Sequence, residues 1–346
     1  MSTMNLRRWS FAVFLVVPAL AHATSPDVVV RALVDDVALP TVRAFAAAAE
    51  TFERRRAAAC ATPDRPDRSM LEAAHADLLR AFARLEPLNF GPLTTDNRGA
   101  KLAFWPDKHN VASRQVRQAL RAADPALVTE DAIAQGSVAL QGLPAIEQVL
   151  HAEKAEGAFV CAFLAGLAAN VERLAREVVR DWRDFAGTMR EAQDQNEQLV
   201  AFYRAVVDGL TRIVELKIER PLGDDIGSAR GGSAEAAISG LSVAAIDGNL
   251  ATISALLFGQ GDVGLVDALP APAASRLHDV LADRLAVARD ALAGLDMPLA
   301  RAVGDEEARS RVQVARYALN DVEKALAESL GPALGFTAGF NDSDGD

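Results

Sequence analysis

The segment QGLPAIEQVL, residues 141–150, holds the pattern in this chain that comes nearest to metal or ligand chemistry. With His at position 144, a nitrogen and the Glu147 carboxylate would share one face of a helix, three residues apart. Position 144 is Pro, so the nitrogen donor is missing. Proline suits the first turn of a helix, where its absent N–H has no partner to lose and its fixed φ matches the helix. Gly142 then marks the entrance, and Glu147 close behind it gains about 0.3–1 kcal/mol from the helix dipole. Gly142, Pro144 and Glu147 therefore read either as a helix mouth or as a binding notch limited to oxygen ligands. His151 lies four residues beyond Glu147 and shares its face. It opens the polar run HAEKAEG, however, where a solvated side chain is expected. His75, His109 and His278 form no ligand spacing with one another, so three protein ligands to zinc are not expected. Neither a G-x-S-x-G elbow nor a P-loop occurs.

Two other stretches hold candidate ligating groups. Phe104-Trp105-Pro106-Asp107 falls in the irregular segment 86–110, which is richer in aromatics than its surroundings. Such a segment either packs onto the helices or lines a pocket. Arg114 and Arg117 follow on the next helix, placed to pair with Asp107 or with an anionic ligand. The ending NDSDGD sets Asp342, Asp344 and Asp346 at alternate positions. Clustered oxygens of this kind suit hard cations such as Ca²⁺, Mg²⁺ or ferric iron, although the Gly is misplaced for an EF-hand. A solvated tail is the plain alternative.

These residues have to be positioned by helices. Apolar residues recur every three or four positions from Phe163 through Leu167, Val171, Leu174 and Val178 to Trp182. Similar stripes run through Val29–Ala61, Ser69–Leu85, Gln198–Ile218, Ala234–Leu257, Ala274–Leu295 and Glu306–Leu330. Ser69 is a candidate N-cap for the second of these. No run of period-two alternation stands out, and the fold class is all-α. Breaks fall at 61–69, 86–110, 220–232 and 259–275. The break near 221 predicts two stacked up-and-down helical bundles, 24–220 and 221–346.

Before these comes MSTMNLRRWSFAVFLVVPALAHA, with Arg7 and Arg8, an apolar core and a small-x-small ending. It reads as a signal peptide, 1–23, cleaved after Ala23, and predicts a periplasmic protein. No later segment reaches the roughly 18 uninterrupted apolar residues that a bilayer crossing needs, and no transmembrane segment is expected. In an oxidising compartment the pair Cys60 and Cys161 predicts a disulfide. The formal charge of −11 argues against nucleic acid and anionic membranes as partners, and would favour cationic ligands.

Taken in order, FWPDKHNVASRQVRQAL (104–120), GLPAIEQVL (142–150) and LGFTAGFNDSDGD (334–346) resemble the imelysin family of exported helical proteins. The resemblance implies a pair of four-helix bundles. It places GLPAIEQVL on the family's G-x-H-x-x-E signature, where Gly142 and Glu147 match and Pro144 departs. Family peptidase activity therefore does not carry across. What the resemblance does imply is a cleft between the bundles that uses Glu147, the aromatic loop with Trp105, Asp107 and Arg114, and the aspartates 342, 344 and 346. The expected occupant is a metal ion, iron or another oxygen-preferring cation, or a small ligand. A divergent metallopeptidase and a structural or partner-binding module of the envelope are the alternatives.

Overall fold

The computed structural model describes residues 23–152, 157–261 and 263–335, which form helices, turns and loops with no strand among them. Residues 1–22 of the expected leader, and Asp342, Asp344 and Asp346, lie outside the described residues. Nine longer helices make the frame. Helix α1 spans 26–59, α2 Arg68–Leu85, α3 Val111–Ala122, α4 Leu143–Leu150 and α5 Ala158–Glu191. Helix α6 spans 195–222, α7 Ser242–Phe258, α8 Ala271–Ala293 and α9 306–333. Three of them widen into π turns, at Leu33–Ala38 in α1, Arg212–Glu219 in α6 and Leu326–Leu330 in α9.

The stripe from Phe163 to Trp182 is buried along its whole length on α5. By length and composition α5 is apolar enough to cross a membrane, but 61% of its apolar window is buried inside the fold. It is the central core helix. Helix α1 packs against α2 and α5, and α8 pairs with α9. Helix α7 lies along α2 while also touching α6 and α8, so the later half of the chain is laid directly on the earlier half. The disulfide Cys60–Cys161 ties the end of α1 to the first turn of α5, with the Cα atoms 5.8 Å apart.

Two local expectations are corrected. The stripe that starts at Ala234 becomes helical only at Ser242. Ala236 and Gly240 adopt φ of 49° and 73°, which turns the backbone out of the helix and leaves 234–241 as an irregular wall. The N-cap of α2 is Asp67 rather than Ser69: Asp67 Oδ1 accepts from the Met70 N–H at 3.0 Å, and the Ser69 hydroxyl donates to the same oxygen.

Candidate ligand-binding cleft

A cleft of about 720 Å³ opens between the aromatic loop, the start of α4 and the segment 220–238. Glu235, one of its lining residues, belongs to a buried charge network. Lys217 is 1% exposed, and its ammonium lies 2.5 Å from Glu86 Oε2, 2.6 Å from Glu235 Oε2 and 2.6 Å from Asn249 Oδ1. The second oxygen of Glu86 accepts from Arg212 Nε at 2.6 Å, and Arg212 also donates to the Trp105 carbonyl. On an α-helix Arg212 and Lys217, five residues apart, would point about 140° away from each other. The π turns they occupy bond i to i+5, which brings such residues side by side and lets both grip one carboxylate.

Burial pushes the Glu86 carboxyl up, but Lys217 and Arg212 outweigh it and hold the group at about 2. Burial and the neighbouring Glu86 leave Glu235 raised despite Lys217. Lys217, pulled down by burial, ends raised because Glu235 and Glu86 flank it. The Trp105 ring covers the network, with the Arg212 guanidinium 5.6 Å and the Lys217 ammonium 6.0 Å from its centroid. A second cavity of about 320 Å³ lies against Trp105, lined by Glu86, Phe104, Pro106 and Arg212.

Helix α4 supplies the other wall. Gly142 begins it, and a Cβ there would sit 2.1 Å from the Leu102 carbonyl oxygen, so only glycine lets α4 close on the base of the aromatic loop. Pro144 is the second residue of α4 and lines the cleft. Glu147 is 7% exposed and also lines the cleft; its Oε1 accepts from the Ser239 N–H at 2.8 Å and the Ser239 hydroxyl at 2.6 Å. Pro144, Glu147, Trp105 and Asp107 thus come together around one space, whereas Gly142 lies outside its lining, against Leu102.

Arg114 does not join them: it is exposed on α3 and does not line the cleft. Nor does Asp107 pair with Arg114 or Arg117. Its carboxylate accepts from the Val111 and Ala112 N–H groups, both at 2.8 Å, and from His109, capping α3. Arg117 donates to Ser113 instead.

His75 enters the cleft wall from α2. It is 1% exposed, and burial together with the nearby His151 drives its pKa down to about 4 against the opposing pull of the Leu143 carbonyl. The ring is neutral at ordinary pH. Its Nε2 and the Ser233 hydroxyl, another lining group, are buried without a hydrogen-bond partner among the described residues. Orphaned polar atoms of this kind ask for an occupant.

A resident metal is less well served. Among the described residues no three His, Cys, Asp or Glu side chains gather into a set that could hold an ion. Pro144 offers no donor, Glu147 is spent on Ser239, and Glu235 is ion-paired. The cleft's volume lies within the range of small-molecule sites.

The chain is matched by the Imelysin family, peptidase M75, over residues 38–326. No curated protein matches it. An imelysin-like protein from Psychrobacter arcticum 273-4 shares the fold with a TM-score of 0.77 at 23% identity, over 91% of this chain and 97% of that one. A protein described provisionally as an iron-regulated protein A precursor, from Parabacteroides distasonis ATCC 8503, superposes with a TM-score of 0.70 at 15% identity, over 90% and 95% of the two chains. With the family matched over most of its length and the helices arranged as in solved relatives, the chain belongs to the imelysin family.

Proposed function

We propose that this protein is an exported, non-catalytic binding protein that holds a small ligand in the cleft between the aromatic loop, α4 and the 220–238 segment. One observation carries the reading: a cleft of about 720 Å³, within the size range of small-molecule sites, lined in part by buried polar atoms that have no protein partner. Trp105, packed over the buried charge network, supplies an apolar face, and the fixed Glu147 and Lys217 networks keep the walls preformed. Glu147 is engaged by Ser239, and among the described residues no three candidate ligands gather, which favours binding over metal-dependent hydrolysis. Export to the periplasm is supported by the leader-like residues 1–23 and by the disulfide, which belongs to an oxidising compartment.

A blocked cleft provides the test. Gly232 lines the cleft, and a Cβ there meets nothing within 4 Å, so Gly232→Trp is expected to obstruct the cleft, with circular dichroism and thermal melting checking that the fold is kept. Purified protein incubated with a small-molecule extract of cells is expected to retain a compound, detected by mass spectrometry after denaturation, that Gly232→Trp fails to retain. Identical retention by both proteins would overturn the reading. For export, cell fractionation is expected to find the protein in the periplasm, shortened by the leader and oxidised at Cys60 and Cys161.

A further inference from the structure

We infer that the ligand of the cleft is a small anion, held by its carboxylate or phosphate groups at Arg220, Arg230 and Lys108. The inference rests on the cleft being a binding site and adds the chemical class of the occupant. Formal charge alone does not carry it, since the lining holds the carboxylates Asp107, Glu147, Asp224 and Glu235 as well as those three cations. What differs is which atoms are free to meet a ligand. Asp107 is occupied by backbone N–H groups at the start of α3, where the helix dipole offsets its charge. Glu147 accepts both donors of Ser239, and Glu235 is held by Lys217. Asp224 alone of the four is left open.

The cations show the reverse. Among the described residues Lys108, Arg220 and Arg230 have no carboxylate within ion-pair distance and no side-chain hydrogen bond. Arg220 is half-buried in the cleft lining, and its guanidinium remains open to solvent, so a bound anion can reach it. The Arg230 N–H donates to the Pro221 carbonyl at 2.8 Å, which keeps the two arginine backbones at the same end of the cleft. Arg309 adds positive charge behind that end, donating to the Leu222, Gly223 and Val303 carbonyls rather than to an acid. The orphaned Ser233 hydroxyl adds a neutral donor on the same segment.

Free donors outnumber free acceptors, and arginine forks suit planar carboxylate and tetrahedral phosphate. An otherwise acidic protein thus turns a basic end into its cleft. A metal ion, iron included, would then enter as the centre of an anionic chelate and not as a bare cation.

Calorimetry on the purified protein tests this with citrate and inorganic phosphate as anionic probes, ferric citrate as the metal-loaded form, and spermidine, glucose and Ca²⁺ as comparators. Citrate, ferric citrate or phosphate is expected to bind, more weakly as salt rises, and to lose about tenfold or more in affinity in the Arg220→Gln/Arg230→Gln protein. Binding by ferric citrate alone, with the same arginine dependence, would identify the chelate as the source of the anion. The inference is overturned if no anion binds, or if the double variant binds as well as the parent. It is also overturned if spermidine, glucose or Ca²⁺ binds in place of the anions and is lost in Gly232→Trp. In that last outcome the cleft stands as a site and only the charge assignment fails. Failure of the cleft itself shows separately, as retention unaffected by Gly232→Trp.

Discussion

Glu147 on α4 and Ser239 stand 92 positions apart in the chain, yet a single oxygen of the carboxylate accepts both the backbone N–H and the hydroxyl of that serine. The contact fastens the irregular 234–241 segment to the helix mouth and so sets the width of the cleft. It gives Glu147 a structural task that requires no metal.

If Glu147 is the clamp, Glu147→Ala leaves the Ser239 N–H without its partner and costs about 1–3 kcal/mol. Hydrogen exchange is expected to speed up at Ser239 and its neighbours while the α5 core stays protected. Glu147→Gln keeps an acceptor oxygen and loses only the charge, so its effect is smaller. Unchanged exchange across 234–241 in the alanine variant would show that something else holds the wall.

Lys217 makes a sharper test because it neutralises two buried carboxylates at once. Lys217→Met strands Glu235, leaves Glu86 to Arg212 alone, and is expected to cost about 3–5 kcal/mol in denaturant unfolding. Adding Glu86→Gln and Glu235→Gln to the methionine variant removes the carboxylate charges and should recover a good part of that loss. The three sites share one network, so the effects are far from additive. A triple variant as unstable as Lys217→Met would mean the ammonium matters for its packing and not for its charge.

The helices were legible because burial imposes a period: Phe163 through Trp182 reads as a stripe, and each member is in the core. The cysteine pair was legible from an even count behind a leader-like N-terminal sequence. The notch residues Gly142, Pro144 and Glu147 were visible from the signature they resemble. The buried charge network was not. Glu86, Arg212, Lys217, Glu235 and Asn249 are scattered over more than 160 residues, and each looks like an ordinary surface residue of a helix or loop. Only packing of α7 on α2 joins them, and the π turns that aim Arg212 and Lys217 together leave no pattern that a 3.6-residue period detects. A net charge of −11 says nothing of how charge is distributed within the cleft, where the side chains without a partner among the described residues are mostly basic. A weak signal for this lay in the RPLGDDIGSARGG break, where Arg220 and Arg230 flank glycines with few hydrophobic neighbours.

The Cys60–Cys161 bond spans a separation of 101 residues. By the chain-entropy account such a link stabilises the fold by about 4–5 kcal/mol, and removing native disulfides costs about 2–5 kcal/mol in practice. Cys60→Ser/Cys161→Ser is expected to unfold at a lower denaturant midpoint, with the cleft intact at moderate temperature. Reductant should destabilise the parent protein and leave the double variant unaffected.

The pH dependence of stability should carry the imprint of His75. Burial, with His151 nearby, lowers this group to about 4 from an ordinary value of 6.5. On acidification the unfolded chain takes up the proton first, while the folded protein resists it until much lower pH. The contribution of His75 is therefore complete above pH 6.5 and is lost as pH falls towards 4. The slope approaches 1.4 kcal/mol per pH unit, for a total of about 3 kcal/mol. Glu235 acts in the opposite sense, because its raised carboxyl favours the fold at lower pH, so the useful measurement is the difference between parent and variant. His75→Gln keeps a donor for the Leu143 carbonyl and removes the titrating ring. Urea unfolding at pH 7 and pH 5 is expected to show a loss of stability in the parent that is markedly reduced in His75→Gln. Parallel losses in the two proteins would mean that the imidazole is protonated in the fold, and the orphaned nitrogen facing the cleft region would then be a donor instead of an acceptor.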